Sequence, residues 1–447
     1  MNRLSLTLLF CIISLTTMAQ SKILSMRERA EVRDQWLEER AKSVLPMLME
    51  RTGIDMWLLI AREYNEDPVL KTMLPATWVS ARRRTMLVIY NPGDGKPLET
   101  LAIARYNVGT LFASAWDKEQ QPDQWARLVE IIKERNPKKI GINTSEHFAT
   151  ADGLTATEHQ NLLNVLPKKY QDRLVSAEYL SVGWLETRTP SEMVVYQQIC
   201  RIAHEIIREG FSEKVIQPGV TTTEDVMWWY RDRIRELGFV AWFHPTVDVQ
   251  RADPESFEHM RAFSKRPDRE VIMPGDLVHV DFGITYLGLN TDTQQLAYVL
   301  RPGESDAPEY LKEALKQGNR VQDCLTEQFA TGVTGNQALA QALAQAKSEG
   351  LKPHIYTHPI GYHGHGAGPT IGMWDAQEGV PVRGDYPIYP NTAYSIELNA
   401  GVYLEEWGKE IRVMLEEEAF FDGETVRYID GRQTELLLIP RPLPGVE

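Results

Sequence analysis

Cysteine is scarce, with Cys11, Cys200 and Cys324 the only three in 447 residues. That count builds no disulfide scaffold. Cys200 falls inside an expected amphipathic helix, which favours a buried thiol over a bridge to Cys324. Positive charge is also short: 48 Lys and Arg against 62 Asp and Glu leave a formal net charge of −14. A chain of that sign lacks the electropositive face that nucleic acid or anionic lipid requires, so nucleic-acid binding is set aside. Beyond the first twenty residues no apolar run approaches a membrane span, and there is no low-complexity tract and no repeat of solenoid period. What is present is ordinary globular composition, 43% hydrophobic and 25% charged. At roughly 150 residues per domain this length suits two or three domains with a substantial core.

The first residues read as an export signal. Arg3 supplies a positive start, Leu4 to Leu15 an apolar stretch too short to span a bilayer, and Thr17 and Ala19 the small residues of a cut after Ala19. A lipoprotein reading of Cys11 fails because bulky Phe10 precedes it and the cysteine comes too early. Residues 1–19 are therefore expected to be a signal peptide, and the mature chain periplasmic or secreted, with no membrane attachment after cleavage.

From 20 to 183 the pattern is α/β. An amphipathic helix is expected over 27–51, with Trp36, Leu37, Val44, Leu45 and Leu48 on one stripe and Pro46 as a point of kinking or breakage. Apolar runs at Met56–Ala61, Thr85–Tyr90, Leu101–Ala104 and Lys139–Asn143 read as strands. A second unit, 184–447, begins near Gly183. Thr189-Pro190-Ser191-Glu192 forms a capping box with Pro at the first helical position, and Thr221-x-x-Glu224 opens another helix. Two more helices fit Pro308–Phe329 and Gly335–Lys347, and strand-like stretches fall at 276–283, 291–300, 393–403 and 410–421. Helix pairs alternating with hairpins predict α+β, with helices packed on one face of a curved, mainly antiparallel sheet.

Four features of this second unit could carry chemistry. Alternation in Leu277-Val-His279-Val-Asp281-Phe-Gly283 puts Asp281 and His279 on the face opposite Val278, Val280 and Phe282. Asp292 follows eleven residues later, close enough for a hairpin to bring both carboxylates to one end of the sheet. His358, His363 and His365 cluster among glycines that allow close backbone approach. Glu397 interrupts the apolar run Tyr394–Asn399, and Arg412, Met414, Glu416 and Glu418 share one face of the last stretch. Each feature alone has a bland explanation as a salt-bridged or edge residue. Together, two Asp, one or two Glu and at least one imidazole form a hard-oxygen set suited to Mn²⁺, Zn²⁺, Co²⁺ or Fe²⁺, and able to bridge a pair of ions. The absence of thiolates argues against a structural zinc site.

The order and spacing of Gly275-Asp276-Leu-Val-His-Val-Asp281-Phe-Gly283, Thr291-Asp292, Gly364-His365-Gly-Ala-Gly368 and Ser395-Ile-Glu397 resemble the creatinase/methionine-aminopeptidase or "pita-bread" family, in its Xaa-Pro aminopeptidase and prolidase branch. The resemblance covers roughly 184–440, and the α/β part before it is similar to that family's N-terminal domain. It implies an aminopeptidase acting on short peptides, with proline preferred in the second position, two divalent cations per chain (Mn, Zn or Co) and a homodimer. Carried over, Asp281 binds one cation and Asp292 bridges both, while His365 is the imidazole ligand. Glu397 is a further ligand that positions the attacking hydroxide. His363 or His358 binds substrate or stabilises the developing oxyanion, a choice left open because the family's histidine four residues before the ligand falls here at Gly361. Metal-activated water attacks the scissile carbonyl.

Two departures stand out. The family continues its second Asp as Asp-x-Thr, where this chain has Asp292-Thr-Gln294, and its last glutamate aligns with Met414. Glu416, one pleat further, is the expected substitute if the strand shifts locally, with Glu418 behind it. Two other readings remain: metal-free C–N hydrolysis of the creatinase kind, and a degenerate member that binds peptides or a partner without turnover.

Overall fold

The computed structural model describes residues 23–252 and 270–442. The signal-peptide reading of 1–19 lies outside them. The first helix, Met26–Thr52, starts at a Ser25/Glu28 capping box and stops at Gly53, whose φ of 64° a glycine adopts without strain. It runs unbroken through Pro46, because Val44, Leu45, Leu48 and Met49 are buried on either side and hold the turn together. Beside it lies a six-stranded mixed sheet, in the order 113–114, 99–102, 84–90, 56–62, 140–142, 174–176. Its central strands read as continuous apolar runs because both faces are covered. Trp57, Leu59, Leu87 and Ile89 face the first helix, while Met56, Leu58, Ile60 and Val88 face Leu128, Ile131 and Ile132 of helix Gln124–Arg135.

Helix Glu178–Glu186 passes straight through Gly183, where the sequence places the start of a second unit. A Cβ on Gly183 would lie 2.6 Å from Leu48 Cδ2, so this glycine lets the two helices close on each other. The next helix, Pro190–Gly210, begins at the expected Thr189/Glu192 box. Buried Arg40 donates to the Thr187 carbonyl and to Glu192 at this junction. The following helix, Thr223–Glu236, is capped by Thr222 with Asp225, one residue later than the Thr221/Glu224 pair read from sequence. Both registers offer a hydroxyl and an acid at the same spacing. The structure uses the later one, because the Thr221 hydroxyl is already engaged with Gln217 N–H and the Val215 carbonyl in the preceding turn.

This helix pair covers a sheet in the order 437–439, 293–299, 277–282, 246–250, and the core between them contains Val278, Val280 and Phe282. A second pair, Glu309–Thr326 and Gly335–Ser348, covers strands Leu398–Leu404 and Lys409–Leu415. The architecture is α+β, as expected. The stretches expected at 393–403 and 410–421 are each broken, into Thr392–Ser395 with Leu398–Leu404, and Lys409–Leu415 with Glu418–Phe421. Their halves belong to different sheets, with the bends locked by Ile396 N–H donating to the Glu417 carbonyl at 2.9 Å. Glu397 and Glu416 lie at these bends. Both cysteines in the described residues, Cys200 and Cys324, are buried free thiols, and no described helix is long and apolar enough to cross a membrane.

Behind the bends, His204 of helix Pro190–Gly210 holds Glu417 at 2.7 Å through Nε2 and Asp430 at 3.1 Å through Nδ1. Burial opposes its charging, but the Glu417 charge and the bonds to Asp430 and Glu417 outweigh that and push its pKa up to about 10. His204→Gln leaves buried Glu417 without its cation, Asp430 keeping its pair with Arg201, and the expected loss is about 3 kcal/mol near neutral pH. The wild-type protein holds this proton more tightly folded than unfolded. The advantage is therefore full below the ordinary value of 6.5 and fades as pH climbs through about 10. Urea denaturation of both proteins between pH 6.5 and 10 checks this, and a gap independent of pH contradicts it.

Candidate metal centre

Strand geometry concentrates the acids. Asp281, near the end of Leu277–Phe282, pairs across the antiparallel ladder with Gln294, and Asp292 directly precedes strand Thr293–Val299. The hairpin thus brings both carboxylates to one end, as the spacing predicts. Glu416 joins them through an isolated bridge with Gln294, and His358 comes in on a short strand whose partner is Ser395. Three overlapping groups have ligand atoms within 4.8 Å of one another: Asp281, Asp292 and Glu416; His358, Glu397 and Glu416; and Asp292, His358 and His365.

The histidines take positions the sequence did not resolve. His358, expected to meet substrate, is buried, with Nε2 3.8 Å from Asp292 Oδ2, 3.9 Å from Glu397 Oε2 and 3.6 Å from Glu416 Oε1. His365, expected to be the imidazole ligand, is exposed and reaches only Asp292 and His358 within its group. Pairing with Ser395 aims His358 into the bend, whereas His365 sits in the glycine-rich loop beyond it. His363, the other substrate candidate, joins none of the three groups, and its buried Nδ1 has no hydrogen-bond partner. Among the late glutamates, Glu416 enters the cluster. Glu418 turns away to accept from Asp292 N–H at 2.6 Å and from Thr293 Oγ1. The local shift required to replace Met414 is the strand break at Glu416–Glu417.

Burial and mutual repulsion govern the electrostatics. Burial, then Glu416, Asp281 and Glu397, drive the Asp292 carboxyl well above its ordinary pKa. Burial, then Glu416 and Asp281, do the same to Glu397, against the Gln294 hydrogen bond that lowers it. Glu418 is pushed up to about 8, by burial and then Glu417. Tyr356 is pushed up to about 12, by burial and then the Glu397, Glu416 and Asp292 charges. Like charges this close and this dry cannot all ionise without a cation.

His358 makes the requirement specific. Its Nδ1 lies 3.0 Å from the Pro359 carbonyl, which only accepts, so Nδ1 carries the proton and Nε2 presents a lone pair. That Nε2 is buried, has no hydrogen-bond partner and faces three carboxylates. A lone pair among anionic oxygens is satisfied by a cation, and this tautomer is the one that ligates. Hard oxygens with an imidazole and no thiolate fit a divalent first-row ion.

Residues between the ligand candidates complete the site. Ser395 Oγ donates to Glu416 Oε1 at 2.5 Å. Gln294 Nε2 donates to Glu397 Oε1 at 2.8 Å and Glu416 Oε2 at 2.6 Å. The Trp242 ring stands edge-on to His365 at 5.3 Å, and a Cβ on Gly364 would lie 2.3 Å from that ring, which is why glycine occupies the position. Trp242 and Tyr356 carry no sequence signal for this role, since Trp242 lies far off in sequence and Tyr356 sits in no recognisable spacing.

A family model described as metallopeptidase family M24 matches residues 195–421, just over half of the chain. Among solved structures, the X-Pro aminopeptidase of Thermotoga maritima MSB8 superposes with a TM-score of 0.60 at 19% identity, covering 87% of this chain and 99% of that one. The Xaa-Pro dipeptidase of Bacillus anthracis gives 0.57 at 18% identity over 93% and 100%. The prolidase of Pyrococcus horikoshii OT3 gives 0.54 at 16% identity over 92% and 99%. The shared fold is the pita-bread fold. No curated protein matches the chain by sequence.

Because the acids repel one another without a cation, Asp292→Asn is expected to stabilise the metal-stripped protein by on the order of 1 kcal/mol. The order reverses once Mn²⁺ is added, because the variant binds it less well. Thermal unfolding of both proteins with and without the ion checks this, and a metal-free variant less stable than wild type contradicts it.

Proposed function

The chain belongs to metallopeptidase family M24, and on that premise we propose that it is an exported aminopeptidase of the prolidase kind, removing the first residue of short peptides that carry proline in second position. The observation that carries the catalytic reading is the orphaned Nε2 lone pair of His358 among the Asp292, Glu397 and Glu416 carboxylates. Without a cation the same carboxylates would repel one another uncompensated, which disfavours a metal-free hydrolase. Support for proline comes from the structural relatives, whose names specify X-Pro aminopeptidase, Xaa-Pro dipeptidase and prolidase. Export rests on residues 1–19, and a homodimer on the family resemblance.

In this reading Asp281, Asp292, His358, Glu397 and Glu416 hold the cation. A divalent ion there supplies Lewis acidity and lowers the pKa of a water molecule. Glu397 is the general base and then the general acid. Its Oε1 is fixed by Gln294, which orients the carboxylate beside the attacking water and the departing amine. The side chain is 21% exposed, so it borders both the buried acids and arriving substrate. Tyr356 stays protonated through neutral pH and serves as a donor to the peptide, beside His365.

Residues 20–447, stripped and reloaded with Mn²⁺, Co²⁺ or Zn²⁺, are expected to cleave Xaa-Pro dipeptides or tripeptides only when metal is present. Glu397→Ala and His358→Ala are each expected to lower kcat/KM by more than about 100-fold, with bound metal reduced in His358→Ala. Turnover undiminished by a chelator, or peptide binding without turnover at any metal loading, sinks the proposal.

A further inference from the structure

We infer that Arg40, on the first helix of the N-terminal domain, is a positioning residue for the peptidase reaction, holding through Glu192 and Tyr362 the glycine-rich turn that carries His365 to the acid cluster. The inference rests on the peptidase reading and adds to it a part played by the N-terminal domain.

The turn has little shape of its own. Gly361, Gly364 and Gly366 leave its backbone many conformations, so contacts from outside must select one. Some of these come from the catalytic domain. The Gly361 carbonyl accepts from Asn290 N–H at 2.8 Å and from Asn290 Nδ2 at 2.9 Å, and Gly366 N–H donates to the Pro359 carbonyl at 2.7 Å. Those bonds fix the two ends. Between them His365 stands edge-on to His358, with ring centroids 4.8 Å apart, and groups with Asp292.

Tyr362 ties the same turn to the N-terminal domain. Its hydroxyl donates to Glu192 Oε1 at 3.2 Å, and its ring meets two guanidiniums, Arg40 Cζ at 5.1 Å and Arg188 Cζ at 4.7 Å from the centroid. Arg40, Arg188 and Glu192 are all buried, and two cations facing one carboxylate do not cancel. Excess buried charge is costly. It is offset here by the Thr187 and Trp184 carbonyls that Arg40 reaches, and by the π-face of Tyr362. The cluster and the turn therefore stabilise each other. Arg40 Nη1 donates to both oxygens of Glu192, at 3.2 and 3.0 Å, whereas Arg188 adds a longer bond to Oε1 at 3.4 Å. Arg40 thus sets where the Tyr362 hydroxyl finds its acceptor.

Arg51, about three turns further along the same helix, supplies the contrast. It lies 3.9 Å from buried Glu186 Oε1 and 3.8 Å from the centroid of the Tyr389 ring, so it too joins the domains by a guanidinium, a carboxylate and an aromatic ring. Neither of those partners belongs to the turn 361–366. Arg40 and Arg51 make the same kind of junction, and only the first is wired to His365.

The test compares variants of residues 20–447 loaded with Mn²⁺, reading kcat and KM on an Xaa-Pro tripeptide, bound metal, thermal unfolding, and hydrogen exchange at the Gly361 and Gly366 amides. Arg40→Met is expected to lower kcat at least about 10-fold with bound metal unchanged, and to speed exchange at both amides. Arg40→Lys, which restores the charge beside Glu192 without the fork, is expected to recover part of the kcat. Tyr362→Phe is expected to cost about 3-fold, and to add nothing on top of Arg40→Met, since both act through Glu192. Arg51→Met is expected to lower the unfolding temperature comparably, with kcat within about 2-fold of wild type and exchange in the turn unmoved. Wild-type kcat and exchange in Arg40→Met, or an equal loss of kcat in Arg51→Met, overturns the inference and leaves the peptidase standing. No turnover by wild type overturns the peptidase reading, and exchange alone then decides whether Arg40 holds the turn. Should Arg40→Met fail to fold, Arg40→Lys and Tyr362→Phe decide, and wild-type kcat in both overturns the inference.

Discussion

The crowding of Asp281, Asp292, Glu397 and Glu416 at a bend between sheets is the constraint around which the rest of the structure is arranged. Four acids in a partly dry pocket oppose folding, and the molecule tolerates them because each is fixed by backbone that has other reasons to be there. Asp281 and Asp292 flank a hairpin whose opposite face fills an apolar core with Val278, Val280 and Phe282. Glu397 and Glu416 occupy the breaks of two strands that are buried on either side of those breaks. Local repulsion is thus set against long-range packing, and packing wins.

The run Glu416-Glu417-Glu418 shows how finely this is divided. In one continuous strand, Glu416 and Glu418 would point together and Glu417 away. The break sends the three carboxylates to three environments. Glu416 meets Ser395, Gln294 and the cluster. Glu417 meets His204 and Gln295. Glu418 meets the Asp292 amide and Thr293. The first joins the acids that could hold a cation with His358. The second is neutralised by a histidine, and the third is held close to protonation by burial and its neighbour Glu417.

Period-two alternation and capping chemistry made much of this legible beforehand. The faces of strand Leu277–Phe282, the Thr189 helix start and the α+β arrangement follow from local rules that tertiary contacts did not override. The residues carrying the acids were also legible, since an Asp or Glu inside an apolar strand is conspicuous. What could not be read was direction. Which of His358, His363 and His365 turns inward depends on a two-residue strand pairing with Ser395, a contact between positions far apart in sequence. The Thr222 cap was missed by one residue because Thr221 and Thr222 both have an acid three positions on, and only the contacts of the Thr221 hydroxyl with the preceding turn distinguish them. The strand breaks were invisible for the same reason: an apolar run does not announce a change of sheet.

Hydrogen bonding then gives the cluster a front and a back. On one side, Pro359 fixes the His358 tautomer so that a lone pair joins the carboxylate oxygens, and nothing among the described residues donates to it. On the other side, His279 fixes the Gln294 amide so that two donors cover the remaining glutamate oxygens. An imidazole acceptor without a donor on one face and glutamate oxygens covered by one amide on the other make a directional pocket from a nearly symmetric set of acids. The direction of two side chains, one imidazole and one amide, is what tells the two faces of the cluster apart.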